Sequence, residues 1–411
     1  MTTLSRRKFL YTTGAAAAAT LSAPLIARAA GETIKVGCLH DLSGALDSVG
    51  VPMNQVLQLA IKDINDNGGL LGKPVEAVVY DPQSNMSLYS QYATQLALKD
   101  KVDVVMGGIT SASRETIRPI FHRYNTFYFY NTQYEGGVCD RNEITLGTTP
   151  AQTVKRVIPY AMNLFGKKVY TVAADYNYGH ITAAWVKRYV EENGGEVIAT
   201  EFFPLDVAQF GPTISKIQGA KPDFVLSAMV GTSHLGFYRQ WAAAGMKGQI
   251  PIVSTVFGAG GSDQVILTAA ESDGLISCFG YFEQIDNPVN KTFLEKVAAA
   301  YPDKKWVMSE ISEVTYEGIM MWADAVRDAG STKRDPLLEV LTSGKVYEMP
   351  AGKVKIDPKT QHAIRDVYIA ECKDQVFQIK ESFPDSQPED TQMVCDLIKD
   401  PKANKHYEIS L

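Results

Sequence analysis

The chain has 411 residues, 45% of them hydrophobic, with 40 basic and 46 acidic side chains. Its formal net charge of −6 argues against nucleic acid or an anionic membrane surface as partner, because both demand dense cationic patches that displace counterions. A chain of this length exceeds what one hydrophobic core organises, so two domains are expected.

The amino terminus reads as an export signal. Ser5-Arg6-Arg7-Lys8-Phe9-Leu10 leads into an uncharged stretch rich in Ala, Thr and Gly over 11–26, followed by the small-x-small site Ala27-Arg28-Ala29. The paired arginines favour the twin-arginine route, with removal after Ala29. A membrane anchor fits poorly: a spanning helix needs about 20 strongly apolar residues, and Thr, Gly and Pro24 interrupt this run. Loss of the basic residues Arg6, Arg7, Lys8 and Arg28 takes the net charge from −6 to −10. Cys38 lies within an apolar run and not beside the signal, so no lipid attachment and no membrane anchor are expected.

From Thr33 onward, short apolar runs alternate with longer segments of helical period, the mark of parallel βα units. Strands are predicted at 34–39, 75–80 and 102–106, with helices at 51–65 and 88–99. The glycines of the turn at 65–74 supply the left-handed conformation that ends a helix. The series resumes after Thr145. Helices begin at Ala151, Gly179, Gln209 and Ser233 and alternate with strands at 168–173, 196–203, 223–229 and 250–254, which makes a second doubly wound sheet. The apolar stretch 274–282 is one strand more than the second lobe needs, so the chain is expected to cross back there into helices at 291–300 and 312–329. Two strand-like pieces, 354–356 and 363–371, precede a polar tail expected to end as a surface strap.

Open α/β sheets bind ligands beyond the carboxyl ends of their strands, so the loops that follow strands carry the chemistry. The first is Gly107-Gly108-Ile109-Thr110-Ser111-Ala112-Ser113-Arg114, running into a helix expected to start near Ser113. Its glycines admit a ligand to the backbone, while Ser111, Ser113 and free helix-start amides are donors; one serine also caps the helix. The second loop ends the aromatic strand around Phe127 and Phe129, placing Tyr130, Thr132 and Gln133 where they form a pocket wall. In the third, Asp175-Tyr176-Asn177-Tyr178-Gly179-His180, tyrosines at alternate positions project toward a cleft and stack on a flat solute.

Five cysteines in an oxidising compartment allow at most two bridges. Cys38 and Cys278 sit in apolar runs and read as buried hydrophobes. Cys372 and Cys395 flank a polar stretch and are the expected pair, with Cys139 as competitor. Catalytic signatures are missing: there is no nucleophile elbow, no metalloprotease helix motif and no phosphate-cradling loop. No zinc spacing occurs, the histidines do not cluster, and Gly258-Ala259-Gly260-Gly261 lacks a dinucleotide fingerprint. Neither a catalytic group, nor a metal, nor a cofactor is expected.

Asp41-Leu42-Ser43-Gly44, the turn at 64–74 and the Gly-Gly-Ile-Thr-Ser-Ala-Ser-Arg loop together resemble type I periplasmic solute-binding proteins of the branched-chain amino acid family. Thr110-Ser111-Ala112-Ser113-Arg114, Tyr130-Asn131-Thr132-Gln133-Tyr134-Glu135-Gly136, Asp175-Tyr176-x-Tyr178 and Val230-Gly231-Thr232 are most similar to the urea and short-chain amide binders within it. The resemblance implies a ligand held by Ser111, Tyr130, Thr132 and Gln133 of the first lobe and by Tyr176 and Tyr178 of the second, and Gly231 of the Val230-Gly231-Thr232 match is a further candidate. It implies a periplasmic receptor of an ABC transporter whose partners are membrane permease subunits. It also implies crossovers near 146–149, 278–282 and 348–354. The chain then divides into a signal at 1–29, a first lobe of 30–146 plus 279–349, a second of 147–278 plus 350–385, and a strap of 386–411. The sequence departs from the subgroup at Gly179-His180, where Pro and Arg are usual, and at Phe257-Gly258-Ala259-Gly260, where an acid is usual. Phe257 in that place suits a larger or less polar ligand than urea.

A transport receptor is therefore the leading expectation, with urea or a short-chain amide as ligand and a branched-chain or other amino acid as the alternative. An amide-sensing regulator would need a cytoplasmic partner, on the wrong side of the membrane for an exported chain. An exported amide hydrolase would need a nucleophile with a neighbouring base. With no acid apparent near the loops of the second lobe to meet an ammonium, the neutral ligand is favoured.

Overall fold

A computed structural model describes residues 32–407 of the chain, so the export signal lies outside the described residues. The first lobe opens with β1 (Ile34–Leu39), α1 (Asp47–Asp66), β2 (Val75–Tyr80) and α2 (Met86–Gln95), the last continuing into one π-helical turn to Asp100. Next come β3 (Val104–Gly107), α3 (Ser111–Tyr124), β4 (Tyr128–Tyr130), β5 (Val138–Asp140) and β6 (Glu143–Thr145). The parallel sheet has the order β2-β1-β3-β4-β6. β1 and β3 are apolar on both faces because helices cover both sides, which is why they read as continuous hydrophobic runs.

The second lobe alternates α4 (Val154–Phe165), β7 (Lys168–Ala174), α5 (Asn177–Glu192), β8 (Glu196–Phe203) and α6 (Gly211–Ala220). It continues through β9 (Phe224–Ala228), α7 (Thr232–Ala243), β10 (Ile252–Ser254), the short α8 (Asp263–Ile266) and α9 (Ala269–Ser272), and β11 (Ile276–Phe279). The chain then returns to pack α10 (Pro288–Ala300), α11 (Glu310–Ala329) and α12 (Arg334–Leu341) into the first core. It finishes with β12 (Tyr347–Met349), β13 (Gly352–Ile356), β14 (Ala363–Lys373), β15 (Val376–Ser386), α13 (Glu389–Gln392) and β16 (Asn404–His406). Strands β7 to β11 run parallel and β12 to β15 add antiparallel, giving the order β12-β13-β14-β11-β10-β9-β7-β8 with β15 on β14.

Three differences from the sequence reading have physical causes. The β12–β13 hairpin pairs with the second sheet, yet Tyr347, Met349, Val354 and Ile356 bury their side chains in the first core, so no single residue near 349 separates the lobes. The polar run at 376–386 is a strand because it lies on the sheet edge, where one face meets water and apolar alternation is weak. The bridge joins Cys139 to Cys395, and not Cys372 to Cys395. Cys372 is buried inside β14, where a strand interior holds its side chain away from the tail, and Cys38 and Cys278 are likewise free and buried. The tail is an ordered strap whose β16 pairs antiparallel with β5 of the first lobe. Among the described residues, no helix is long and apolar enough to cross a membrane.

Candidate functional site

In each sheet the strand order reverses, around β1 in the first and around β7 in the second, and ligands bind at such switch points. The loops beyond the carboxyl ends of β1, β3 and β4 face those beyond β7, β9 and β10 across a cleft. Between them lies a cavity of about 130 Å³, on the order of a space that accepts one benzene-sized body. Close helix starts make this geometry possible. A Cβ on Gly179 would fall 1.9 Å from the Ala174 carbonyl oxygen, so only glycine lets the first turn of α5 sit against the end of β7.

Ser111, Thr132, Gln133, Tyr176, Tyr178 and Gly231 all line the cavity. Ser111 begins α3, two residues before the expected start, because Thr110 is the N-cap and its side chain accepts from the Ser113 amide. The Ser111 hydroxyl donates to the fully buried Glu135 carboxylate, which also receives Arg114 Nη2 at 2.9 Å. With its proton committed inward, Ser111 Oγ presents acceptor lone pairs to the cleft, whereas the adjoining helix-start amides are donors. Arg114 itself lies over the rings of Tyr130 and Tyr134, 5.1 and 4.5 Å from their centroids.

Across the cleft, Gln133 Nε2 of the first lobe donates to the Thr255 carbonyl of the second at 2.8 Å. Trp185 Nε1 of the second lobe donates to the Glu135 carbonyl of the first at 3.3 Å, while within the second lobe the Tyr178 hydroxyl lies 2.9 Å from Thr255 Oγ1. The lobes thus touch through directed hydrogen bonds on one side of the cavity. Gly231, at φ 78°, is the N-cap of α7 and uses a backbone region that suits glycine.

Ser113, Tyr130 and Phe257 do not reach the cavity. Ser113 completes the capping box of α3, its hydroxyl accepting from the Ile109 and Thr110 amides. Tyr130 points behind the loop and donates to the Ile109 carbonyl at 3.0 Å, since as a β4 residue it faces the side opposite to its neighbours. Phe257 is fully buried beneath the site, packed 5.7 Å from the Tyr238 ring and 5.5 Å from the Phe377 ring.

Sequence reasoning missed the apolar walls, formed by Leu46, Val49, Val230, Val256, Ile266 and Ile311, and the polar pair His234 and Asp263. Asp263 opens α8 two residues beyond the Gly258–Gly261 run and places an acid in the second-lobe wall, so the argument from a missing acid fails. A signal for it existed in Ser262-Asp263, a helix-start pair at the end of a glycine-rich loop.

Behind Arg114, Glu143 is buried with Arg118, Asp140 and Glu115 around it. Burial pushes its carboxyl up to about 8, against the pull of Arg114 and Arg118. A carboxyl raised on folding contributes stability that is present below its unfolded value and is lost as pH rises through its folded one. The buried histidines His40 and His362, lowered by desolvation to about 3 and about 4, act only below their ordinary value of 6.5. Unfolding free energy therefore falls between pH 6.5 and 8, with about 2 kcal/mol from Glu143. Denaturant titrations across that window should show Glu143→Gln with a slope flatter by that amount; an unchanged slope would refute this account.

A family profile described as periplasmic binding protein domain matches residues 34–382. A Leu/Ile/Val-binding protein homolog of Brucella melitensis is 23% identical over 348 residues, which cover 83% of this chain and 87% of that protein. A solute-binding protein of an ABC transporter from R. palustris, solved with 4-hydroxybenzoate, aligns at TM-score 0.77 and 22% identity, covering 87% of this chain and 98% of that one. A branched-chain amino acid transporter substrate-binding protein of Streptococcus pneumoniae, solved with isoleucine, aligns at TM-score 0.74 and 21% identity, covering 86% and 99%. The two sheets, their crossovers and the cleft between them agree with that match. The chain belongs to the periplasmic binding protein domain family, with the type I two-lobed fold, and is a binding protein and not an enzyme.

Proposed function

We propose that this protein is the extracytoplasmic substrate-binding component of an ABC importer, and that its cleft takes a small carboxylate with an apolar body, such as a branched-chain amino acid. The observation that carries the reading is the convergence of four helix starts on an apolar-walled cavity: α1 at Ser48 and Val49, α3 at Ser111, α5 at Tyr178 and α7 at Thr232. Helix starts offer unpaired amides and partial positive charge, which suit a carboxylate. The aliphatic walls suit a hydrocarbon body and favour a larger solute than urea. The names of the Brucella melitensis and Streptococcus pneumoniae relatives point the same way, and the R. palustris one adds aromatic acids to the class.

Ligand bridging Ser111 and Tyr178 would join the lobes alongside the Gln133–Thr255 bond and stabilise the closed form that permease subunits recognise. A second reading, urea or a short-chain amide, is favoured by Ser111 Oγ, whose acceptor lone pairs match a ligand N–H. Calorimetric titration with leucine, isoleucine, benzoate, urea, formamide and acetamide separates the two. The first reading expects a dissociation constant of about micromolar or tighter for at least one carboxylate. Binding of amides alone would carry the second, and silence across all six would sink both.

A further inference from the structure

We propose that Glu135 is a specificity-determining residue behind the cleft and that the carboxyl-terminal strap positions it: Arg114 and His406 hold its carboxylate so that Ser111 can only accept a hydrogen bond from the ligand. The inference rests on the carboxylate reading above and adds what the ligand must carry besides its carboxylate. Glu135 and Arg114 are fully buried and form an ion pair, with 2.9 Å between Oε1 and Nη2. An ionised carboxylate only accepts, so the Ser111 hydroxyl, which meets Oε2, must turn its proton inward.

The strap grips the segment that carries Glu135 residue by residue. His406 Nε2 lies 3.0 Å from the Gly136 carbonyl oxygen and 3.4 Å from Glu135 Oε1, and its Nδ1 lies 3.4 Å from Arg114 Nη2. A guanidinium only donates, so Nδ1 accepts and the imidazole proton sits on Nε2, aimed at the carbonyl. Burial, and then the charge of Arg114, hold the imidazole below its ordinary range, which keeps it in that neutral form. The Gly137 amide donates to Thr391 Oγ1 at 3.0 Å, and the Gly137 carbonyl accepts from the Tyr407 amide at 2.9 Å. A Cβ on Gly137, at φ 93°, would stand 2.2 Å from the Tyr407 carbonyl oxygen, so glycine lets the strap come this close. The Cys139–Cys395 bond then fastens the next turn of the segment.

A ligand carboxylate cannot pair with Ser111 Oγ held in this way and is left to the helix-start amides. The group that meets Oγ must donate, as an ammonium or a hydroxyl does. Glu135→Gln reverses the polarity. Because Arg114 Nη2 donates, the new amide turns its oxygen to Arg114 and its N–H to Ser111, whose own proton then points into the cleft.

The test compares matched pairs by calorimetry on the full chain: leucine against 4-methylpentanoate for the ammonium, and 4-hydroxybenzoate against benzoate for the hydroxyl. At least one donor-bearing member should bind about tenfold or more tightly than its partner. Glu135→Gln should lower that ratio about tenfold, and His406→Phe about threefold in the same direction. Combined with Ser111→Ala, either change should move the ratio by less than about twofold, because its route to the ligand is gone. If Glu135→Gln does not fold by its thermal midpoint, the pair Arg114→Met, Glu135→Gln, which leaves no lone buried charge, should give the same fall. Equal affinities within both pairs for the unaltered chain would overturn the inference while leaving the carboxylate reading intact. So would a ratio that Glu135→Gln leaves unmoved, or a shift as large without Ser111 as with it, which a merely structural role would produce. Failure of all four ligands to bind would overturn the carboxylate reading itself, and the inference with it.

Discussion

Replacing Arg365 by methionine should lower the unfolding free energy by about 3–5 kcal/mol at neutral pH, because it strips the cation from a fully buried acidic cluster. Arg365, on β14, lies 3.2 Å from Glu317 and 3.7 Å from Glu313, and its Nη1 donates to the Leu146 carbonyl at 2.9 Å. One turn earlier on α11, Glu310 accepts from the Gly280 amide at 2.8 Å and from Thr148 Oγ1 at 3.1 Å. The start of α11 thus holds two of the segments that pass between the lobes, at 146–148 and at 280, together with β14. Burial raises all three carboxyls and Arg365 opposes that rise, so without it they must be protonated or remain as uncompensated charge. The deficit should shrink as pH is lowered to 5, where protonation costs less. Equilibrium denaturation at both pH values checks this, and a variant within about 1 kcal/mol of the parent at neutral pH would refute it.

Removal of the Cys139–Cys395 bridge is the second large effect. The bond closes a loop of sequence separation 256 and ties the strap to the first lobe. Restricting so long a loop in the unfolded chain stabilises the fold by about 2–4 kcal/mol on typical measurements. The double variant Cys139→Ala, Cys395→Ala should lose that amount, and the amide of Tyr407, which donates to the Gly137 carbonyl at 2.9 Å at the end of the β5–β16 ladder, should exchange faster with solvent. His406 also lies 3.4 Å from the Glu135 carboxylate, so a freed strap would loosen the network that orients Ser111. An unchanged unfolding midpoint with faster exchange only in the strap would show that the bond fastens that segment alone.

The architecture was legible along the chain because alternation of short apolar runs and helical periods is a local property. The strand at 34–39 and the helix at 312–329 bury residues whose spacing announces which face is covered. The cavity-lining loops were legible for the same reason: Ser111, Thr132, Gln133, Tyr176 and Tyr178 follow strands, and strand ends in open sheets converge. Side-chain direction was not. Tyr130 and Ser113 stand within two residues of cavity-lining positions, yet strand alternation and the capping box turn both inward.

What only the tertiary structure decided depends on partners distant in sequence. Glu310, Glu313 and Glu317 occupy one face of α11 and by composition alone describe a solvated stripe; Arg365 makes that stripe a buried one. Cys139 has no local feature that selects Cys395 over Cys372, because the choice follows from where the strap crosses β5. Asp263 reaches the cleft because α8 carries it there. Periodicity and turn chemistry are written within a few residues and determine elements, whereas charge compensation, disulfide pairing and the polarity of a pocket wall are set by contacts that exist only once the two sheets are in place.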